Sequence, residues 1–282
     1  MGKKVLIIGA GPAGATLAIY LKRYNIDVLV FDNNKSNLEK AHLIENYYGT
    51  GKITGSDLYQ KGLDQLNELN IPVIQEEVLD IEALKTFSVK TEKNTYLGDY
   101  LVLASGLARR SLNIKGLKEF EGRGISYCAT CDSFFFRKKR IGIVGSSKYM
   151  ESELDVLKRV TDQITIFTNG SDYHSDSFKV EKNPIVEVYG NLLLEGLKTT
   201  DKDYKLDGLF IAEGSFNSFA ITKHLGINTN SNGEVIVDHN YMTNYPNVFA
   251  IGDIIPDIKQ VGVAVSHGIH LAYHLFKISK EG

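Results

Sequence analysis

Apolar residues in the first third of the chain fall into short runs separated by stretches of helical period. Lys3 to Ile8 is a compact, β-branched run, as expected of a strand buried on both faces of a parallel sheet. Ala15 to Arg23 has helical spacing, and Asp27 to Phe31 is a second strand-like run. An aperiodic polar and aromatic loop, Leu43 to Gly49, leads into a predicted helix from Ser56 to Leu69, with Leu58, Leu63, Leu66 and Leu69 at its apolar positions. Ile71 to Ile74, Thr86 to Thr91 and Tyr100 to Leu103 read as strands. The pattern then starts again. Arg140 to Val144 is strand-like, Tyr149 to Val160 is helical with Leu154, Leu157 and Val160 on one face, and Ile164 to Thr168 is a strand. Val248 to Ile251 forms a last strand, and Gln260 to about Lys277 a long helix. Repeated strand–helix–strand units predict an α/β fold of two Rossmann-like, three-layer domains, the smaller inserted into the larger. The expected boundaries are 1–112 and 213–282 for the larger domain and 113–212 for the insertion.

The first strand and helix are joined by Gly9-Ala10-Gly11-Pro12-Ala13-Gly14. In a G-x-G-x-x-G turn the first glycine permits the tight turn and the second lets backbone approach a pyrophosphate. The third lets helix and strand pack, and the helix N-terminus faces the anion. Asp32 ends the next strand, eighteen positions after Gly14, where a carboxylate accepts hydrogen bonds from an adenosine ribose. This is the pattern of a dinucleotide site.

With 282 residues and 43% hydrophobic composition, the chain is long enough for two domains. A formal net charge of −2 gives no electrostatic case for nucleic acid. No apolar run reaches the roughly 18 residues of a membrane span, and Val5 to Ile8 is too short for a signal-peptide core. The two cysteines, Cys128 and Cys131, lie three positions apart in Ser126-Tyr127-Cys128-Ala129-Thr130-Cys131-Asp132. A structural disulfide framework uses more cysteines, and zinc usually takes four Cys or His ligands. Two buried thiols without a task are the bland alternative. A C-x-x-C pair favours a redox dithiol, in which one thiolate attacks and its neighbour resolves, with the Asp132 carboxyl placed to shuttle the proton. A dithiol without an export signal fits a reducing cytoplasm.

Together these landmarks resemble the low-molecular-weight thioredoxin reductases along nearly the whole chain. Gly9 to Gly14 matches that family's FAD fingerprint, and Glu45-Asn46-Tyr47-Tyr48-Gly49 resembles its E-N-[FY]-P-G loop with Tyr48 in place of proline. Ser126 to Phe134 resembles its S-Y-C-A-T-C-D-G-F segment with Ser133 for the glycine, and Gly252-Asp253 with Lys259-Gln260-Val261 resembles its flavin ribitol and ring segment. The resemblance implies FAD held by Gly9, Ala10, Gly11, Pro12, Ala13, Gly14, Asp32, Asn46, Val78, Ala104, Ser105, Gly106, Gly252, Asp253, Lys259, Gln260 and Val261. It also implies that Cys131 faces the flavin, Cys128 exchanges with thioredoxin, and Asp132 is the acid/base. A homodimer with a rotating small domain is implied as well.

The inserted domain departs from the family's NADPH motifs. Its turn reads Gly145-Ser146-Ser147-Lys148-Tyr149-Met150, keeping only the first glycine. No Arg or Lys lies between Val160 and Phe178 to meet a 2′-phosphate, while Asp162, Asp172 and Asp176 add negative charge. Thr168 stands where an acid would read the NADH ribose. The expectation is a decayed nucleotide site, and the chain then most resembles the ferredoxin-dependent flavin thioredoxin reductases. An NADPH-dependent enzyme, or a disulfide oxidoreductase for another small redox protein, is the competing reading.

Several other features carry expectations. The basic Arg109-Arg110 and Arg137-Lys138-Lys139-Arg140 read as linker surface or as steering for an acidic ferredoxin. His267, His270 and His274 are expected as surface or packing residues rather than metal ligands, with His267 near the flavin ring. Phe134-Phe135-Phe136 is expected to pack in a core or domain interface, and Tyr47 and Tyr48 to pack or to touch flavin.

Overall fold

The computed structural model describes residues 3–83, 85–106, 112, 114–127, 129–213 and 218–281. The chain divides into two compact units, one formed by 1–108 with 217–282 and the other by 109–216.

The first unit opens with strand β1 (Lys4–Ile8), helix α1 (Pro12–Arg23) and strand β2 (Asp27–Phe31). Proline at the first helical position starts α1 at no hydrogen-bond cost, because that amide has no helical acceptor. Lys22 and Arg23 in its last turn complement the helix dipole. Helix α2 (Gly55–Glu68) follows, its Thr54 side chain accepting from the Asp57 amide at 3.1 Å. The short β3 (Val73–Ile74) precedes three antiparallel strands, β4 (Val78–Ala83), β5 (Phe87–Thr91) and β6 (Thr95–Gly98), and then β7 (Tyr100–Leu103).

The second unit holds β8 (Ile125–Ser126), the single-turn α3 (Ala129–Asp132), β9 (Ile141–Val144), α4 (Lys148–Leu157), β10 (Ile164–Phe167) and β11 (Lys179–Glu181). Three antiparallel strands, β12 (Ile185–Gly190), β13 (Leu194–Thr199) and β14 (Asp203–Lys205), precede β15 (Gly208–Ile211). The chain then returns to the first unit with α5 (Ser218–His224), β16 (Val248–Ala250) and α6 (Val261–Glu281).

Each unit therefore carries a five-stranded parallel sheet, ordered β16-β7-β1-β2-β3 in the first and β11-β10-β9-β15-β8 in the second. Each also carries a three-stranded antiparallel sheet. The expected α/β class of two Rossmann-like domains stands. In the first unit Val5, Ile7, Leu17, Leu21, Val102 and Leu271 are wholly enclosed, each such side chain contributing about 1.5–3 kcal/mol relative to an exposed one. Helix α6 lies close on α1, since a Cβ at Gly268 would come 2.6 Å from the Ala13 carbonyl oxygen.

The antiparallel sheets were only partly foreseen. Apolar residues in β4 alternate with Asp80 and Glu82, while β13 is interrupted by Glu195 and Lys198 without a strict alternation, over runs of six residues. Half-exposed strands this short carry little periodic signal. The helix expected to reach Val160 ends at Leu157, and Val160 instead donates to the Leu157 carbonyl in the closing turn.

Candidate active site

Strand register brings the first set of candidate residues to one sheet edge. Ile8 stands beside both Phe31 and Leu103, and Leu103 beside Ala250. The ladder continues one step into the turns. Gly9 N–H donates to Phe31 at 2.8 Å, Ala104 N–H to Ile8 at 2.8 Å, and Ile251 N–H to Leu103 at 3.0 Å. Gly9 to Gly14, Asp32, Ala104 to Gly106 and Gly252-Asp253 thus leave the carboxyl ends of neighbouring strands, where open α/β sheets bind ligands.

The glycine turn fits a dinucleotide. A Cβ at Gly14 would lie 2.0 Å from the Gly9 carbonyl oxygen, so helix and strand touch there through backbone alone. A Cβ at Gly11 would meet no protein atom within 4 Å. That open position is the one a pyrophosphate needs, and no side chain caps the first turn of α1.

Asp32 ends β2 as expected, but it is only 6% exposed. Its carboxylate accepts the Tyr59 hydroxyl at 2.5 Å. Burial raises its pKa, opposed by that hydroxyl and by the Asn34 and Asn33 amides. The same pairing, with burial again the larger cause, pushes the Tyr59 phenol upward. Tyr59 was not picked out from the sequence, because on an amphipathic helix it reads as one more core position.

The remaining flavin candidates gather through longer connections. Asn46 donates to the Gln260 side chain at 2.9 Å across 214 positions of sequence. Lys259 Nζ bonds the Asp253 and Ile255 carbonyls at 3.0 and 2.5 Å and pairs with Glu234 at 2.8 Å, closing the turn before Val261 opens α6. Val78 is buried at the start of β4. His267 is buried, and its Nδ1 accepts from the Gly252 amide at 3.2 Å while Nε2 lies 2.9 Å from Asp257 Oδ2. That arrangement assigns the ring proton to Nε2. Asp257 is held below the usual carboxylate range by the Ile258 amide and then by His267. His270 lies 3.4 Å from the Tyr241 hydroxyl, and His274 packs against Phe249. No metal-binding cluster occurs among the described residues. Tyr48 is almost wholly exposed, and the Tyr47 carbonyl accepts the Thr50 hydroxyl at 3.0 Å.

In the second unit, Cys128 lies outside the described residues, and Cys131 is described through its backbone in α3. The frame around them is well defined. Ser126 Oγ donates to Asp132 Oδ2 at 2.6 Å, and the Tyr127 hydroxyl donates to Glu121 at 2.7 Å. The Ala129 amide donates to Glu153 Oε2 at 2.5 Å, and the Tyr149 hydroxyl to the Tyr127 carbonyl at 3.2 Å. The expectation of a packed Phe134-Phe135-Phe136 is corrected for two of the three. Phe134 and Phe135 are 67% and 68% exposed, while Phe136 alone packs, edge-on against Phe210.

The second β–α turn keeps its frame and loses its opening. Gly145 N–H donates to Phe167 at 2.9 Å, as Gly9 does to Phe31. Ser147, however, caps α4, its hydroxyl accepting the Met150 amide at 3.3 Å. Met150 is fully buried rather than obstructing the packing of α4. The following loop does meet one cation that the sequence pattern hid. Lys182, beyond β11, reaches back to pair with Asp172 at 2.5 Å.

The basic stretch is partly occupied. Arg140 grips Asp207 through two nitrogens at 3.1 and 2.9 Å, Arg137 lies 4.9 Å over the Phe134 ring, and Lys139 lies 5.8 Å from the Phe136 ring. Arg109 and Arg110 lie outside the described residues. No helix among the described residues is long and apolar enough to cross a membrane.

Two Rossmann-like units, one with an open dinucleotide turn and one with a C-x-x-C segment, are the parts of a dinucleotide-dependent disulfide oxidoreductase. The chain belongs to the pyridine nucleotide-disulphide oxidoreductase family, whose model matches residues 3–149 and 176–268. A thioredoxin reductase of Listeria monocytogenes is 30% identical over 287 residues, covering 94% of this chain and 90% of the relative. Among solved structures, the atypical thioredoxin reductase TRi of Desulfovibrio vulgaris Hildenborough matches with a TM-score of 0.91 at 29% identity, over 99% of this chain and 98% of that one. A ferredoxin-flavin thioredoxin reductase from Clostridium acetobutylicum matches with a TM-score of 0.78 at 28% identity, over 99% of each chain.

Proposed function

We propose that this chain is an FAD-dependent thioredoxin reductase that takes its electrons from reduced ferredoxin. The observation that carries the choice of donor is the closed second turn. Ser147 takes up the first-turn amide that a pyrophosphate would use, and Met150 fills the place of a small residue. In the adjoining loop Lys182 is engaged by Asp172, where a 2′-phosphate would need a cationic partner. The likeness to a ferredoxin-flavin thioredoxin reductase supports the same reading. Acidic ferredoxin is met by the exposed Arg137 and Lys138, and the reading carries a cytoplasmic homodimer.

FAD is held by Gly9 to Gly14, Asp32, Asn46, Val78, Ala104 to Gly106, Gly252, Asp253 and Lys259 to Val261. When bound, it supplies the chemistry of accepting single electrons and delivering a pair to a disulfide. The chain's own residues do the exchange. With the Cys128–Cys131 disulfide reduced, the Cys128 thiolate attacks one sulfur of the thioredoxin disulfide and the other leaves as a thiolate, which takes up a proton. Cys131 then attacks Cys128, releasing the second thioredoxin thiol and restoring the disulfide. Asp132, oriented by the Ser126 hydroxyl at 2.6 Å, moves the protons.

The test is an anaerobic titration of the FAD-loaded protein with NADPH, NADH or reduced ferredoxin, each with oxidised thioredoxin present. Flavin bleaching and thioredoxin reduction with ferredoxin alone is the expected result. Rapid bleaching by NADPH would overturn the assignment of the donor, and unreduced thioredoxin with every donor would overturn the assignment of the substrate.

A further inference from the structure

The helix that stands where a nucleotide-binding helix would stand is tied to the dithiol segment. Tyr149 and Glu153 are four positions apart on α4 and so share one face. From that face, Tyr149 bonds the carbonyl of Tyr127 at 3.2 Å and Glu153 accepts the amide of Ala129 at 2.5 Å. Those two groups belong to the residues immediately before and after Cys128. Both anchoring side chains are enclosed, Tyr149 at 2% and Glu153 at 8% exposure. In its ionised form a carboxylate buried this deeply acts through a low dielectric and is little screened. Two further carboxylates border the segment, but each accepts a hydroxyl proton, Asp132 from Ser126 and Glu121 from Tyr127.

We propose that Glu153 is a positioning residue for the dithiol. Through the Ala129 amide it holds the backbone beside Cys128, and its charge biases the Cys128–Cys131 couple toward the disulfide, making the reduced protein a stronger reductant. The physical reason is that a negative charge beside the segment raises the free energy of the thiolate but not of the neutral disulfide. An amide committed to a carboxylate is also withdrawn from stabilising a neighbouring thiolate. Tyr149 supplies the second tether and no charge. Thus α4, closed to a nucleotide at its first turn, supports the dithiol with its flank. This rests on the reading of Cys128 and Cys131 as the redox pair.

The experiment equilibrates FAD-loaded wild-type and variant proteins with mixtures of oxidised and reduced glutathione at fixed pH. The free thiols are then trapped with an alkylating reagent and counted by mass. Glu153→Gln keeps an acceptor for the Ala129 amide and removes the charge. It is expected to shift the equilibrium about tenfold toward the dithiol, the effect of about one pKa unit, which for a two-electron couple is about 30 mV. Tyr149→Phe leaves the charge in place and is expected to stay within about twofold of wild type. A Glu153→Gln couple within about twofold of wild type, or an equal shift in Tyr149→Phe, overturns the proposal. Glu153→Asp retains the charge and is expected to stay within about threefold; a tenfold shift in that variant overturns the proposal by itself. If the wild-type cysteines do not interconvert as a pair at any glutathione ratio, the functional reading fails and the proposal falls with it.

Discussion

The two β–α turns of this molecule are the same backbone device put to different uses. In each, a glycine leaves a central parallel strand, donates to the neighbouring strand, and leads into a helix. At Gly11 the first turn opens onto empty space, and no side chain caps its helix. The second is capped by Ser147 and filled by Met150, and Tyr149 and Glu153 on its helix reach the segment around Cys128. Sheet register and helix packing keep the frame, and they do not require the positions that read a phosphate. On the proposed reading a Rossmann frame outlives its ligand, and what it binds lies in a few side chains at one strand edge.

The largest effect that tests this contrast is expected at Gly14. A side chain at Gly14 meets the Gly9 carbonyl, and backbone cannot move aside as a flexible side chain can. Gly14→Val should cost about 3 kcal/mol or more and abolish flavin binding, measured by urea unfolding and by the visible flavin absorbance of the purified protein. Gly11→Ala is the sharper partner. It should leave the unfolding free energy of the flavin-free protein within about 0.5 kcal/mol and weaken flavin binding about tenfold, or ~1.4 kcal/mol. Full flavin affinity in Gly11→Ala would break the comparison, because the open turn would then not be the cofactor's place.

In the second turn, the effects should fall on stability alone. Met150→Ala removes a fully buried side chain and should cost about 2–3 kcal/mol. Ser147→Ala removes a helix cap worth about 1 kcal/mol. Neither change is expected to create bleaching by NADPH or to alter bleaching by ferredoxin at saturating donor. Bleaching by NADPH in either variant would mean that the cap and the methionine had been closing an otherwise working nucleotide site.

The last expected effect, one that depends on pH, concerns Asp32. Burial raises its folded pKa above the unfolded value, so its contribution favours the folded state at low pH and is lost as pH rises through the folded pKa. The Tyr59 hydroxyl opposes that rise. Tyr59→Phe should therefore raise the pKa further and destabilise the protein by about 1.5 kcal/mol near neutral pH, with the difference shrinking as the pH falls through the raised folded pKa, above the free carboxylate value. Thermal unfolding followed from acid to neutral pH checks the sign. A loss of the same size at every pH would show that the hydroxyl matters for packing and not for the carboxylate's charge.

Much of the site was legible because its signals are contiguous. Gly9 to Gly14 declares itself by spacing, and Gly145 to Met150 by the same spacing broken. Asp32 and Gly252-Asp253 were found because each follows a buried strand and precedes a turn. The antiparallel strands β4, β6 and β12 to β14 escaped, since short half-exposed runs have no period long enough to stand out. Phe134 and Phe135 were misplaced because apolar composition says nothing of whether an element will cover it. Lys182 was overlooked as a neighbour of the Asp172 loop because β11 lies between them in sequence.

The sequence by itself determined the parallel strands β1, β2, β3, β7, β9, β10 and β16, the two glycine turns, the C-x-x-C and the α/β class, since each resides in the order and spacing of nearby residues; the short parallel strands β8, β11 and β15 escaped it. Only the tertiary structure decided that Tyr59 meets Asp32, Asn46 meets Gln260, His267 holds the Gly252 amide, and Glu153 holds the Ala129 amide. Each of those bonds joins residues of different elements, from 15 to 214 positions apart in sequence. Which face turns inward is set by how the helices settle on the sheet, and no local period records it.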